Sequence, residues 1–332
     1  MTTHRTPLRG TRLSSMRIRT SALAVAAVAL LGACKDTAVP DYNNPSQSDY
    51  EVIKSRAQLQ TQVTGLIDGD RQLHDFEILV EETIGRDVYR LDGAEPRYIT
   101  VPLGNPDIGN VNFMQTAIWN GPYTNIRSAK LLISATEKST EAFPTPLSDE
   151  EKNGVYGVAQ TIKALQYIRL IETRDTVGVP IVVSEGVTVD PIRCKPAVLD
   201  YIAAVLDSGD VALAGAGDAF AFELPSGFSS NGDFSDPAGF REFNRGLKAK
   251  VEIYRAFQNY RVDGSIDQAA LDLAQQAIDA SFYSPTGSLR AGVYHVYSTA
   301  SGDYSNPNYN PSVIRINPRV VNEAQPGDLR VS

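Results

Sequence analysis

The stretch SDEEKNGVYGVAQTIKALQYIRLIET, residues 148–173, carries the strongest structural signal in the chain. Ser148 followed three residues later by Glu151 is a capping box. The serine oxygen accepts an N–H of the first turn, and the glutamate reaches back to the cap N–H. Behind this start Val155, Val158, Ile162, Leu165, Ile168 and Ile171 recur every three or four residues, the spacing of a packed helical face. The pattern predicts a helix over 148–173, followed by a short extended run, Val179-Pro180-Ile181-Val182-Val183.

Similar faces flank it. Leu59, Val63, Leu66 and Ile67 predict a helix over 55–73, and Phe76, Leu79, Val80 and Ile84 one over 75–89. Trp119, Tyr123, Ile126 and Leu131 predict a third over 113–138. Residues 93–112, with Pro96, Pro102 and Pro106, read as a loop, as does the Pro/Thr run 143–147. On the other side Pro196 opens a helix over 196–213, because proline is tolerated in a first turn. Gly- and Ser-rich residues 215–232 read as a loop, and 236–260 and 265–282 as a close helix pair joined by a short turn. From Tyr283 onward Gly, Ser, Asn, Pro and Tyr dominate, which predicts loops and short hairpins. The fold class expected is mainly α: an α-solenoid of helix pairs with long irregular loops, although no fixed sequence period is present.

The amino-terminal segment is an export address. Five arginines and no acidic residue precede the apolar run 22–31, and Leu31-Gly32-Ala33-Cys34 follows. The run is shorter than the roughly 20 residues a membrane-spanning helix needs. The block around Cys34 resembles a lipobox, which implies a signal peptide over 1–33, with Met1 or Met16 as start, and Cys34 as the lipidated first residue of the mature chain. An ordinary signal peptide with a chance cysteine is the plain alternative. Acyl chains contribute about 0.8 kcal/mol per buried methylene, so two or more hold a domain on a membrane stably. Residues 34–47 then form a lipidated polar tether, 48–282 the helical domain, and 283–332 a loop-rich segment.

Charge excludes one class of partner. The chain of 332 residues has 31 basic and 39 acidic side chains, and removing the leader leaves 26 basic against 39 acidic. That balance repels nucleic acid. Only Cys34 and Cys194 are present, so an acylated Cys34 leaves no disulfide. Cys194, between Arg193 and Lys195, reads as a small half-buried residue ahead of a helix. Three scattered histidines show no metal-ligand spacing, and no cofactor motif occurs. Adjacent carboxylates such as Glu81-Glu82 point about 100° apart on a helix and do not face one substrate, so no enzyme is expected.

Several blocks in order resemble the SusD/RagB family of outer-membrane nutrient-binding lipoproteins. They are Trp119-x-x-x-Tyr123-x-x-Ile126-x-x-Ala129; Ala159-x-x-x-Lys163-Ala164-x-x-Tyr167-x-x-Leu170 running into Val179-Pro180-Ile181; Asn244-Arg245-Gly246-Leu247-Lys248-Ala249-Lys250-Val251-x-x-Tyr254 with Ala274-x-x-Ala277-Ile278; and Asp328-x-Arg330. Lys130 and Lys163 depart from the Asn and Arg usual in that family. The resemblance implies TPR-like helix pairs carrying a more irregular ligand-binding region, without chemistry. It implies a lipid-anchored protein of the outer membrane facing the exterior, which captures oligosaccharide for a SusC-like TonB-dependent transporter. Peptide capture, as in the RagB branch, and an envelope scaffold that binds no nutrient are the alternatives. Family members commonly run longer, so the chain is expected to be a fragment lacking a carboxy-terminal part, or a short variant.

Sugar recognition needs flat apolar faces beside hydrogen-bonding groups. The first candidates lie in the segment Arg86-Asp87-Val88-Tyr89-Arg90 with Arg97 and Tyr98 nearby, at a helix end and in the loop after it, chiefly Arg86, Asp87, Tyr89, Arg97 and Tyr98; ordinary loop polarity with Tyr89 packed inward is the alternative. The second set is Tyr294, Tyr297 and Tyr304, since Tyr among Asn and Ser recurs on adaptable recognition loops. Trp119, Tyr167, Tyr254 and Tyr260 fit helix packing better. Replacing Cys34 should abolish membrane anchoring: a Cys34→Ala chain should incorporate no radiolabelled fatty acid, and equal labelling of both chains would exclude lipidation there.

Overall fold

The computed structural model describes residues 50–72, 74–104, 116–139, 146–174, 176–181, 190–299 and 305–328. The expected leader 1–33, Cys34, the tether 35–47, Tyr304 and Arg330 lie outside the described residues. The described chain is mainly helical, with α1 (Arg56–Arg71), α2 (His74–Gly85), β1 (Val88–Arg90), α3 (Arg97–Gly104), α4 (Gly121–Lys138), α5 (Asp149–Glu172), α6 (Lys195–Ala214), α7 (Pro237–Ala256), α8 (Tyr260–Asp263), α9 (Gln268–Asp279), β2 (Ile314–Ile316) and α10 (Pro318–Asn322).

The predicted capping box opens α5. Ser148 Oγ accepts from Glu151 N at 3.1 Å and Glu151 Oε2 accepts from Ser148 N at 2.8 Å. Glu151 also binds Arg56 of α1, tying the first helix to this start. Ser55, Asp236 and Asp267 cap α1, α7 and α9 through their side-chain oxygens. Along the array each helix packs on the next: α4 on α5, α5 on α6, α6 on α7, and α7 on α9. Helix α5 also touches α1 and α7. It is buried around most of its circumference, a fuller burial than the single apolar face predicted, with Gly157, Ala159, Thr161, Ala164 and Gln166 as inaccessible as the Val and Ile stripe.

Small residues let α5 and α6 approach. A Cβ on Gly157 would lie 2.4 Å from Leu213 Cγ, and one on Gly209 2.9 Å from Asn244 Nδ2. Asn244, fully buried on α7, donates to Thr161 Oγ1 at 2.7 Å, so three helices meet at this point.

The structure corrects several expectations. Residues 75–89 are not one helix: α2 ends at Gly85 and the chain turns through Arg86, whose φ is 65°, into β1. Part of the expected 93–112 loop is α3, which keeps Pro102 inside it. The Gly/Ser-rich 215–232 segment is a loop, as expected, but it turns inward. It delivers Phe222 and Phe228 to the core, followed by Phe234, with Phe228 stacked on Phe240 at 5.7 Å between centroids. Gln60 clamps it to α1 by exchanging two hydrogen bonds with the Glu223 backbone. In the carboxy-terminal segment, β2 forms no local hairpin. It pairs antiparallel with distant β1, placing Tyr89 opposite Arg315. Tyr260 is exposed rather than packed, and Cys194 is exposed rather than half-buried. No described helix is long and apolar enough to cross a membrane.

Gly157→Leu should lower stability by about 1–3 kcal/mol through overpacking, even though leucine is the better helix former. Urea unfolding followed by circular dichroism measures it; an unchanged midpoint would show that the α5–α6 contact tolerates a side chain there.

Candidate functional site

Two neighbouring regions carry the chemistry. The first is a buried charge group where α1, α2 and α5 meet. Arg169 of α5 places Nη2 2.5 Å from Glu77 Oε2 and donates from Nη1 to the Asp70 carbonyl at 2.9 Å, with Asp70 Oδ1 at 3.4 Å. The three side chains are only 7%, 6% and 3% exposed for Arg169, Asp70 and Glu77. Gln166, one turn earlier, donates to Asp70. Two histidines close the group from the solvent side. His74 Nδ1 lies 2.9 Å from Glu77 Oε2, and His295 Nε2 lies 3.0 Å from Asp70 Oδ2. The two rings meet edge to face at 5.7 Å.

Burial alone would push both carboxyls up. For Asp70 the His295 hydrogen bond and the charges of His295, Arg169 and His74 outweigh it, and for Glu77 the His74 bond and Arg169 do. Both are held below the usual carboxylate range. Among the described residues no group of three His, Cys, Asp or Glu is arranged to hold a metal ion. A further buried cation on α5, Lys163, is pushed down to about 8 by burial and by Lys130.

The second region is the end of α2 and the turn into β1. Arg86 takes the left-handed conformation usually left to Gly or Asn after a helix, a strained position for a side chain of this size. Asn317, just past β2, holds this turn. Its Nδ2 donates to the Arg86 carbonyl at 2.7 Å and to Tyr89 Oη at 3.1 Å, and its N–H donates to the Asp87 carbonyl at 2.8 Å. Arg90 lies over the Tyr98 ring at 4.1 Å, and Phe76 of α2 meets that ring edge on at 5.9 Å. Arg90 Nη2 donates to Asp92 at 3.3 Å. Arg97 is exposed and donates from Nε to Glu95 at 2.6 Å.

The structure therefore joins Tyr89 and Asp87 to Asn317, and Tyr98 to Arg90 and Phe76. Arg97 stands out in solvent with Glu95. Tyr294 and Tyr297 sit elsewhere, on a strap over α1. Tyr294 N donates to the Gly227 carbonyl at 3.0 Å, and Arg71 lies 5.4 Å over the Tyr297 ring while donating to Val296 O at 2.7 Å. Phe76, Asn317 and His295 were missed as site residues. Phe76 read as part of a packed helical face, and Asn317 and His295 act from more than 200 residues away with no local signal. Trp119 is half-buried, tilted on Tyr123 at 5.1 Å with Arg174 4.7 Å above its ring. Tyr123 and Tyr167 donate to the carbonyls of Pro180 and Ile181, a packing role as expected.

No protein-family model and no curated protein matches the chain. Solved structures similar to it include NanU of B. fragilis at 19% identity, covering 72% of this chain and 43% of that one with a TM-score of 0.49. A protein crystallised with a xylogluco-oligosaccharide is 19% identical over 67% of this chain and 39% of its own, at 0.44. A SusD superfamily protein from Bacteroides vulgatus is 17% identical over 69% and 42%, at 0.46. The chain spans less than half the length of each.

Because the folded-state values of Asp70 and Glu77 are depressed, the stability they contribute is present above the ordinary carboxylate range and is lost as pH falls through and below it. Thermal melts should therefore show the midpoint falling below about pH 4. At neutral pH Arg169→Met should cost about 3–5 kcal/mol by leaving two buried carboxylates uncompensated. A loss under about 1 kcal/mol would mean that the group hydrates freely.

Proposed function

We propose that this protein is a SusD/RagB-type lipoprotein that captures oligosaccharide at the outer face of the outer membrane and passes it to a SusC-like TonB-dependent transporter. Anchoring through Cys34 and the tether 34–47 would keep the helical domain beside that transporter. The observation that carries the binding role is the Arg90–Tyr98–Phe76 cluster beside the first turn of α2. It combines ring surface with guanidinium and phenol hydrogen-bonding groups, the chemistry a pyranose requires. The order of the sequence blocks behind the lipobox supports the family assignment, and the serial packing of α4 to α9 agrees with the helix-pair array it implies. The strain held at Arg86 is consistent with a functional turn.

Binding without catalysis fits the same geometry, since the buried carboxylates Asp70 and Glu77 are already engaged by Arg169, His74 and His295. Peptide capture is the second reading, favoured by the exposed Arg97–Glu95 pair, which offers a partner for either peptide terminus.

Isothermal titration of the full chain against oligosaccharides, a xyloglucan fragment among them, and against short peptides tests both. A carbohydrate should bind, and Tyr98→Ala should weaken it about tenfold, the loss expected for an aromatic contact worth roughly 1.5 kcal/mol. Peptide binding alone would favour the second reading. No binding to either set, with a barrel protein co-purifying, would leave only a scaffold.

A further inference from the structure

We propose that Arg174, stacked on Trp119 just past the end of α5, receives the carboxylate of an acidic sugar, so that the oligosaccharide captured is one containing uronic acid. The sugar in this inference rests on the capture reading above; the acid group rests on the guanidinium itself.

Among the described residues, the other arginines that are buried or half-buried are all paired with acid: Arg71 with Asp68, Arg90 with Asp92, Arg169 with Glu77, Arg245 with Asp207 and Arg255 with Glu252. Arg174 differs. It is half-buried and lies 4.7 Å from the centre of the Trp119 ring. Burial pushes its guanidinium down, and the group that opposes this is the Tyr123 phenol, not a carboxylate. The last acid of α5, Glu172, is taken by Lys250 and by the Tyr254 hydroxyl, both at 2.6 Å. Asp190 acts on the phenols of Tyr123 and Tyr167 and forms no ion pair with Arg174. A partly desolvated charge without a partner is costly, which favours an anion supplied from outside. None of the Arg174 nitrogens is both sealed from solvent and unbonded, so the donors that a ligand needs open outward.

The guanidinium is held ready. Trp119 stands in the π-helical turn Thr116–Asn120 that leads into α4, tilted on Tyr123, and Tyr123 is fixed by donating to the Pro180 carbonyl at 2.8 Å. At the start of α6, Lys195 Nζ donates to the Arg174 carbonyl at 2.6 Å. That bond anchors the backbone carrying the guanidinium and adds a second positive charge beside it. Stacking on an indole fixes the plane of an arginine and leaves its edge for the two parallel N–H···O bonds that a carboxylate accepts. The π-helical turn packs against α2, whose Phe76 meets the Tyr98 ring under Arg90. Both pairs of aromatic ring and guanidinium therefore adjoin one helix. Arg90 already donates to Asp92, whereas Arg174 has no acid, and that difference assigns the charged group of the ligand to Arg174.

Trp119 is the only tryptophan in the chain, so its fluorescence reads this position directly. The full chain is titrated with tri-galacturonate and with a hyaluronan tetrasaccharide, each beside its methyl ester, which keeps the sugar and removes the charge. The acid should change the fluorescence saturably and bind about tenfold more tightly than the ester, the gain expected of a charge-assisted paired hydrogen bond. Arg174→Gln should remove that preference, while Tyr98→Ala should leave the ratio of acid to ester unchanged. Equal affinity for acid and ester in the unaltered chain overturns the inference, and that comparison needs no variant to fold. It leaves the capture reading standing if neutral sugar binds. A preference for acid that survives in a folded Arg174→Gln chain overturns it too, as does sodium acetate or sulfate matching the acidic sugar at equal concentration. Acid bound with no neutral sugar bound supports the site and narrows capture to acidic ligands.

Discussion

A guanidinium buried in the wall of the longest described helix constrains everything around it. Arg169 cannot be left alone in a low-dielectric interior, so the fold must bring it carboxylates. They come from two other helices, Asp70 at the end of α1 and Glu77 in the first turns of α2. The turn between α1 and α2 is thus held against α5 by charge as well as by apolar contact. Such a network is poor evidence of extra stability, since a well-packed apolar core would serve as well. It is stronger evidence of register, because a shift of one turn along α5 would separate Arg169 from both partners.

Apolar packing depends on the same central helix. The amino-terminal half of α5 joins one core with α1, α4 and the phenylalanines of 220–243, and its carboxy-terminal half joins another with α6 and Val251 of α7. Gly157 and Gly209 allow the close approach, and Asn244 seals it with a hydrogen bond to Thr161. Because α5 is enclosed by α1, α4, α6 and α7, the recognition chemistry has to lie at the edges of the array. The candidate residues proposed for it lie beside α2 and on the strap, whose His295 reaches the buried charge group.

Those two edges are built by chain from far along the sequence. Residues 305–317 run back to α2 and β1, where Asn308 donates to the Asp75 carbonyl and β2 pairs with β1. The turn through Arg86 is held by Asn317 and not by its own neighbours alone. The carboxy-terminal segment is therefore a structural part of the candidate site, although its composition reads as loop.

The helices and their order were written in local sequence, because a capping box and a three-to-four spacing are local signals, and α5 displays both in full. So was the acidic balance. Local signals could not reveal that the Gly/Ser-rich segment turns inward, because glycine-rich composition describes backbone freedom and says nothing of where Phe222 and Phe228 go. Nor could they reveal β1 and β2, three residues each, too short for alternation to register and formed only through each other. The candidate patch was legible in part, since Arg86, Asp87, Tyr89 and Tyr98 are close in the chain. The pairing of His295 with Asp70 across 225 positions arises only in the folded chain. Folding alone brings those charges within reach, and only burial makes their neutralisation matter.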